Sequence, residues 1–113
     1  MITILALLVR RADLTRAEFR DYYDVHHRAL FRAVTPSDVQ AGIARYVQHH
    51  AVTRSSAEAE SPYDCITEMT FVDRTALRAW GIWYDSDEGG VLREDERKFI
   101  DRDKRTIMLA EPR

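Results

Sequence analysis

Apolar and polar positions alternate along this chain in three different rhythms. Ile2, Ile4, Leu5, Leu7, Leu8 and Val9 form a nearly unbroken apolar run. Such a run suits a central strand covered on both faces. Thr15 followed three residues later by Glu18 is a capping-box pattern, and it predicts the start of a helix. Phe19, Tyr22, Tyr23, His26, His27, Leu30, Phe31 and Val34 then recur every three or four residues. They define one stripe of an amphipathic helix, with His26 near its centre and His27 near its edge. Arg16, Arg20, Asp24 and Arg28 take the opposite face, and the segment Thr35 to Asp38 ends the helix.

Residues Ile43 to Thr53 read as a second strand. Ile43, Arg45, Val47 and His49 point one way, and Ala44, Tyr46, Gln48 and His50 the other. Arg54 to Pro62 is a polar loop, and Tyr63 to Val72 alternates as a third strand. Asp73 caps a second helix with Leu77, Trp80 and Trp83 or Tyr84 on its buried side. Asp85 to Gly90 interrupts it, a helical piece runs from Val91 to Phe99, and Lys104 to Ala110 forms the last strand. The predicted order is βαββαβ. Two βαβ units in that order build a ferredoxin-like α+β fold, an antiparallel four-stranded sheet with helices on one face. The uncovered face then calls for a second copy, so a homodimer packed sheet to sheet, a dimeric α+β barrel, is expected. Met69, Phe71, Ile4 and Met108 are the expected apolar residues of that face.

Composition narrows the function classes. At 113 residues the chain has room for one core, read as a single domain over residues 1–113. Its 45% hydrophobic and 32% charged content excludes disorder. Seventeen basic residues against nineteen acidic ones leave a formal charge of -2, which argues against nucleic-acid partners and anionic membrane surfaces. Nine apolar residues at the N-terminus are too few to cross a bilayer. Their basic residues, Arg10 and Arg11, follow the run, where a secretory signal would carry them ahead of it. A cytoplasmic protein is expected. The single cysteine, Cys65, cannot form an internal disulfide.

Candidate chemistry lies on the first helix and the two middle strands. Histidine is the side chain best suited to proton transfer near neutral pH. His26 and His27 therefore stand out, with two partly buried structural histidines as the plainer alternative. Tyr46, Gln48 and His50 make a polar stripe on one strand face, which reads either as a wet pocket between sheet and helices or as part of a dimer interface. Glu68 sits mid-strand, where it orients an imidazole or pairs with Arg45 or Arg105. Asp95, Glu96 and Asp101 read as exposed helix charge. Trp80 and Trp83 at helical spacing read as core that also walls an aromatic pocket. Adjacent histidines diverge on a helix and point to opposite faces of a strand, and no paired metal-ligand spacing occurs, so no metal site is expected. No glycine-rich phosphate loop or dinucleotide fingerprint is present, and no cofactor is expected.

Four segments together resemble the EthD-domain family of the dimeric α+β-barrel superfamily. They are the strand ending Leu8-Val9-Arg10-Arg11, LTRAEFRDYYDVHHRAL, RYVQHHAV, and YDCITEMTF with EDERKFID downstream. Ala29 stands where the family usually has Pro after its histidine, His49 where it has Asn, and Cys65 where Gly is common. Only His27 fits the family's His-x-Pro-Leu motif, and Tyr46 and His50 fit its strand motif. The resemblance implies a small-molecule site and proton-transfer chemistry of isomerase, cyclase, dehydratase or decarboxylase type. The implied substrate is a cyclic or aromatic oxygenated compound of a catabolic or natural-product pathway. His27, Tyr46 and His50 would be catalytic. Tyr23, His26, Gln48, Glu68, Trp80 and Trp83 would bind substrate. Cofactorless monooxygenases belong to the same superfamily and give an alternative, as does a non-catalytic binding protein serving an oxygenase.

Overall fold

A computed structural model describes residues 1–113. The chain runs β1 (Ile2–Leu8), α1 (Arg16–Asp21), a π-helical turn (Tyr22–His27), α2 (Arg28–Val34), α3 (Ser37–Ala41), β2 (Ile43–His50), β3 (Cys65–Phe71), α4 (Arg74–Asp85), α5 (Gly90–Glu96) and β4 (Thr106–Ala110). The four strands form one antiparallel sheet in the order β2-β3-β1-β4. This is the expected ferredoxin-like βαββαβ arrangement. The Thr15 capping box forms as the sequence predicts, and Asp73 caps α4 by accepting from the Ala76 N–H. The short helix α3, between the first long helix and β2, has no counterpart in the sequence reading. Strands β2 and β3 are shorter than expected, because the chain leaves the sheet at His50 and rejoins it at Cys65.

Register fixes which side chains meet the helices. Ile4 pairs with Met69, Ala6 with Thr67, Leu8 with Cys65, and Tyr46 with Met69. These residues share the helix side, and residues on their flanks share the open side. The expected dimer face therefore needs correction. Met69 and Phe71 are buried under the helices and Ile4 packs with them. Only Met108 of the four lies on the open face. Alternation groups the β3 residues correctly but does not say which face the helices take, and in β2 a register shift between Ile43 and Arg45 turns Ile43 to the helix side, away from Arg45, Val47 and His49. The open face carries Leu5, Leu7, Val47, Ile66 and Met108, with Arg45, His49 and Glu68 among them.

The core on the helix side is split in two. One cluster gathers Ile2, Val39, Met69, Phe71, Trp80, Trp83 and Leu92. The other gathers Leu8, Phe19, Tyr23, Cys65, Phe99 and Ile100. Burying an aromatic or aliphatic side chain stabilises a fold by about 1.5–3 kcal/mol, so both clusters contribute. Beneath α1, Asp64 clamps the start of β3 by accepting from the Arg10 backbone N–H at 2.8 Å and from Arg16 at 2.9 Å. Burial pushes its carboxyl up, and these donors pull it down to a net value below the ordinary one. No helix is long and apolar enough to cross a membrane.

Candidate functional site

Between the two core clusters lies a cavity of about 270 Å³. The sheet supplies its floor through Ile4, Ala6, Leu8, Thr67 and Met69, and the helices supply Tyr23, His27, Phe31 and Trp80. Ligand sites of drug size occupy about 300–1,000 Å³. This one suits a smaller molecule of one or two rings. Thirteen of its eighteen lining residues are hydrophobic, so its few polar groups set orientation.

The π-helical turn explains which histidine reaches it. Arg28 N–H bonds back to the Tyr23 carbonyl, five residues earlier. Each π turn holds one residue more than an α turn, so the helix stripe slips by one position. The result is an exact four-residue rhythm of inward side chains, Phe19, Tyr23, His27 and Phe31. In a regular α-helix residues four apart drift by about 40° per step, and His26 would hold the centre. Here His27 is buried at 6% exposure. His26 is exposed and packs on Tyr22 with ring centroids 5.2 Å apart, outside the cavity. Both expectations for the helix, His26 central and His27 at the edge, are thus reversed. π-turns inside α-helices recur at functional sites.

His27 has a partner that the sequence reading assigned to exposed charge. Asp95, on α5, is buried, and its Oδ2 lies 2.8 Å from His27 Nδ1. A carboxylate only accepts, so Nδ1 carries the proton, and Nε2 is the lone-pair nitrogen of the neutral ring. The Tyr22 hydroxyl donates to the other oxygen, Oδ1, at 2.6 Å, and Lys98 stands 3.6 Å from it. Burial pushes the Asp95 carboxyl up. The hydrogen bonds from Tyr22 and His27, with the nearby Lys98 ammonium, outweigh this and hold it below the ordinary carboxylate value. Phe99 packs against the imidazole with centroids 5.0 Å apart and fixes its plane. A signal for Asp95 is present in the Asp-Glu-x-x-Phe segment, since Asp95 and Phe99 sit four residues apart and both touch His27.

Hydroxyls gather beside the imidazole. The Tyr23 hydroxyl is 2.6 Å from Thr67 Oγ1. Tyr46, from β2, lines the cavity and receives a hydrogen bond from Gln48 Nε2 at 2.9 Å. Gln48 Oε1 in turn accepts from His50 Nε2 at 2.9 Å. The stripe Tyr46, Gln48 and His50 therefore lies on the helix side and forms one relay, of which only Tyr46 lines the cavity. Burial raises Tyr23 and Tyr46 above the usual phenol value, so both remain donors at neutral pH. The Arg28 guanidinium sits over the Tyr46 ring, 5.2 Å from its centroid. Burial holds His50 below the usual imidazole value, which leaves it neutral, and it packs edge-on to Phe19 and Tyr23.

Of three other candidates, one reaches the cavity and two do not. Trp80 walls the cavity, and Trp83 lies in the neighbouring core cluster without reaching it. Glu68 is on the open sheet face, held by His49 at 3.0 Å and Arg45 at 3.3 Å. It orients an imidazole, but that of His49, remote from His27. No three His, Cys, Asp or Glu side chains converge as metal ligands.

Comparison with known proteins places this arrangement in context. The fold matches an EthD (ethyl tert-butyl ether D) family protein from Bacillus halodurans at TM-score 0.67 and 24% identity, covering 100% of this chain and 99% of that one. It matches a dimeric protein of ferredoxin-like fold from Bacteroides fragilis at TM-score 0.61 and 10% identity, covering 98% and 95%. A DABB family protein of ferredoxin-like fold from Mesorhizobium loti matches at TM-score 0.56 and 12% identity, covering 99% and 96%. A comparison with curated proteins finds no match. The EthD domain profile matches residues 11–103, which span the helical layer and the His27–Asp95 pair, and the chain belongs to the EthD-domain family.

Proposed function

We propose that this protein is an enzyme of proton-transfer chemistry on a small cyclic or aromatic oxygenated compound, using its own side chains and no added cofactor. The observation that carries this reading is His27 on the wall of an apolar cavity, with its ring held from behind by Asp95. Asp95 fixes the tautomer, so Nε2 is the base. It takes a proton from a carbon next to a carbonyl. The electron pair moves onto the carbonyl oxygen, where the Tyr46 and Tyr23 hydroxyls stabilise the enolate. Return of the proton from His27 to a different carbon completes an isomerisation, and departure of a leaving group instead gives elimination. His50 and Gln48 act through Tyr46 by orienting its hydroxyl. A pure binding protein needs a cavity but no ionisable group on its wall, so the placement of His27 supports the enzymatic reading.

The open sheet face belongs to a second copy in this proposal. On that face Met108 of β4 is half-exposed and Ile66 of β3 is exposed, with Leu5 and Leu7 of β1 between the two strands. Contiguous apolar surface of this kind is the signature of an interface. The Bacteroides fragilis neighbour, of the same fold, is described as dimeric.

The chemistry is tested by deuterium incorporation from solvent into a panel of cyclic ketones and lactones, followed by NMR. The wild type is expected to accelerate exchange beside the carbonyl for a subset of the panel. His27→Gln is expected to lower that rate by about 10²–10⁴. Unchanged exchange in a folded His27→Gln protein refutes the assignment.

A further inference from the structure

The cavity has a second polar corner, on the β4 side, that the proton-transfer reading does not use. Tyr84, Glu96 and Arg105 line it. A single carboxylate oxygen, Glu96 Oε1, accepts from the Tyr84 hydroxyl at 2.5 Å and from Arg105 Nη1 at 3.4 Å, and Arg102 Nε stands 3.9 Å away. Two guanidinium charges thus share one acid. The side chains of Arg102 and Arg105 are each 22% exposed and that of Glu96 is 12% exposed, so solvent compensates them little. Arg102 Nε is buried and has no hydrogen-bond partner. Two of the neighbouring acids are engaged elsewhere. Asp95 holds His27 and Tyr22, and Asp101 faces Lys104 at 3.9 Å. Arg102 itself faces a separate surface groove with Asp13, Asp101 and Asp103, so what the corner presents to the cavity is the Arg105 guanidinium, held by one long contact to a carboxylate that Tyr84 and Arg102 share, in a half-buried place where a loosely paired charge is costly.

Sheet order sets this corner opposite the hydroxyls. Tyr46 is on β2 and Thr67 on β3, while Arg105 directly precedes β4. Strands β2 and β4 are three spacings of about 4.8 Å apart. Ile4, Ala6, Leu8 and Met69 lie between them and are apolar. The cavity is thus polar at both ends, cationic at one, and greasy in the middle. Building on the reading above, we infer that its substrate is a cyclic keto acid whose carboxylate docks on Arg105 while its carbonyl faces Tyr46 and His27. The planar guanidinium fork matches a carboxylate, and a monoanion pairs with the Arg105 charge. A bound carboxylate competes with Glu96 for Arg105, and the long 3.4 Å contact leaves room for that exchange.

The test uses 4-oxocyclohexanecarboxylate and its methyl ester, titrated at pH 7 and followed by calorimetry. The acid is expected to bind the wild type about ten- to a hundredfold more tightly than the ester. Arg105→Gln is expected to abolish that preference and Arg105→Lys to keep part of it. Glu96→Gln, which frees Arg105, is expected to tighten acid binding further, an effect that a merely structural ion pair does not produce. Equal binding of acid and ester, no binding of the acid, an unchanged ratio in folded Arg105→Gln, or no tightening in folded Glu96→Gln overturns the inference. Deuterium exchange on the same probes keeps the two readings separate. Arg105-dependent acid binding without His27-dependent exchange removes the proton-transfer chemistry and leaves the anion site. Exchange on both probes with equal binding does the reverse.

Discussion

Replacing Asp95 by Asn keeps the shape of the side chain and removes its charge. Asp95 is 7% exposed and accepts from two donors, His27 Nδ1–H at 2.8 Å and the Tyr22 hydroxyl at 2.6 Å. An amide offers one oxygen where the carboxylate offers two, so one donor is left facing an NH₂ group. Hydrogen bonds to a charged partner are worth about 1.5–3 kcal/mol. The variant is expected to lose about that much, or roughly 8–15 °C in Tm at about 5 °C per kcal/mol. The pH dependence has a definite sign. The folded Asp95 carboxyl lies below its ordinary value, because the Tyr22 and His27 hydrogen bonds outweigh burial. The stabilisation is therefore complete above the unfolded value near 3.9 and is lost as pH falls through the folded value. Thermal melts by circular dichroism between pH 7 and pH 3 should show a wild-type advantage that holds to about pH 5 and shrinks below about pH 4. Combining Asp95→Asn with His27→Gln should give a coupling of about 0.5–3 kcal/mol. An unchanged Tm at pH 7, a pH-independent difference, or no coupling refutes the pair as a unit.

Two further outcomes are expected. Met108→Arg, on the open face and half-exposed in the single chain, should convert a dimer to a folded monomer of about half the mass by light scattering; a dimer that persists in this variant places the interface elsewhere. Cys65 is 1% exposed, and burial pushes its thiol up to about 11, so it should resist a thiol reagent at pH 7.5 in the folded protein and react at once in denaturant; rapid labelling of the folded protein would contradict its buried place between Leu8 and Thr67.

The fold was legible because its signals are local and repeated. The Thr15–Glu18 box, the alternation through Tyr46, Gln48 and His50, and the cap at Asp73 each act within a few residues, and each reappears in the structure. What alternation does not carry is the side from which the helices approach. Met69, Phe71 and Ile4 share a face, but it is the helix face, and Met108, expected beside them, lies on the other. The choice between faces is made by long-range packing, here by Trp80, Trp83 and Val39 against Phe71 and Met69. Glu68 marked the open side in retrospect. A carboxylate paired with His49 and Arg45 is easier to keep on a wet face than under a helix.

The site was half legible, and the missing half has one cause. Histidine and tyrosine on the first helix were identified from residue type, but their aim depends on helical phase, and a uniform 3.6-residue period gives the wrong phase after Tyr22. The correction was written in the chain as the four-residue recurrence Phe19, Tyr23, His27 and Phe31, which a wider turn turns into a single column. That column brings His27 under α5, and α5 then divides its two adjacent acids between the two ends of the cavity. Asp95 reaches His27, and Glu96 reaches Tyr84 and Arg105. Successive residues on a helix differ by about 100° in direction, so neighbouring carboxylates naturally serve separate partners. Read as a run of exposed charge, Asp95 and Glu96 look interchangeable; set against the column of the first helix and the start of β4, one orients the base and the other tempers the cation.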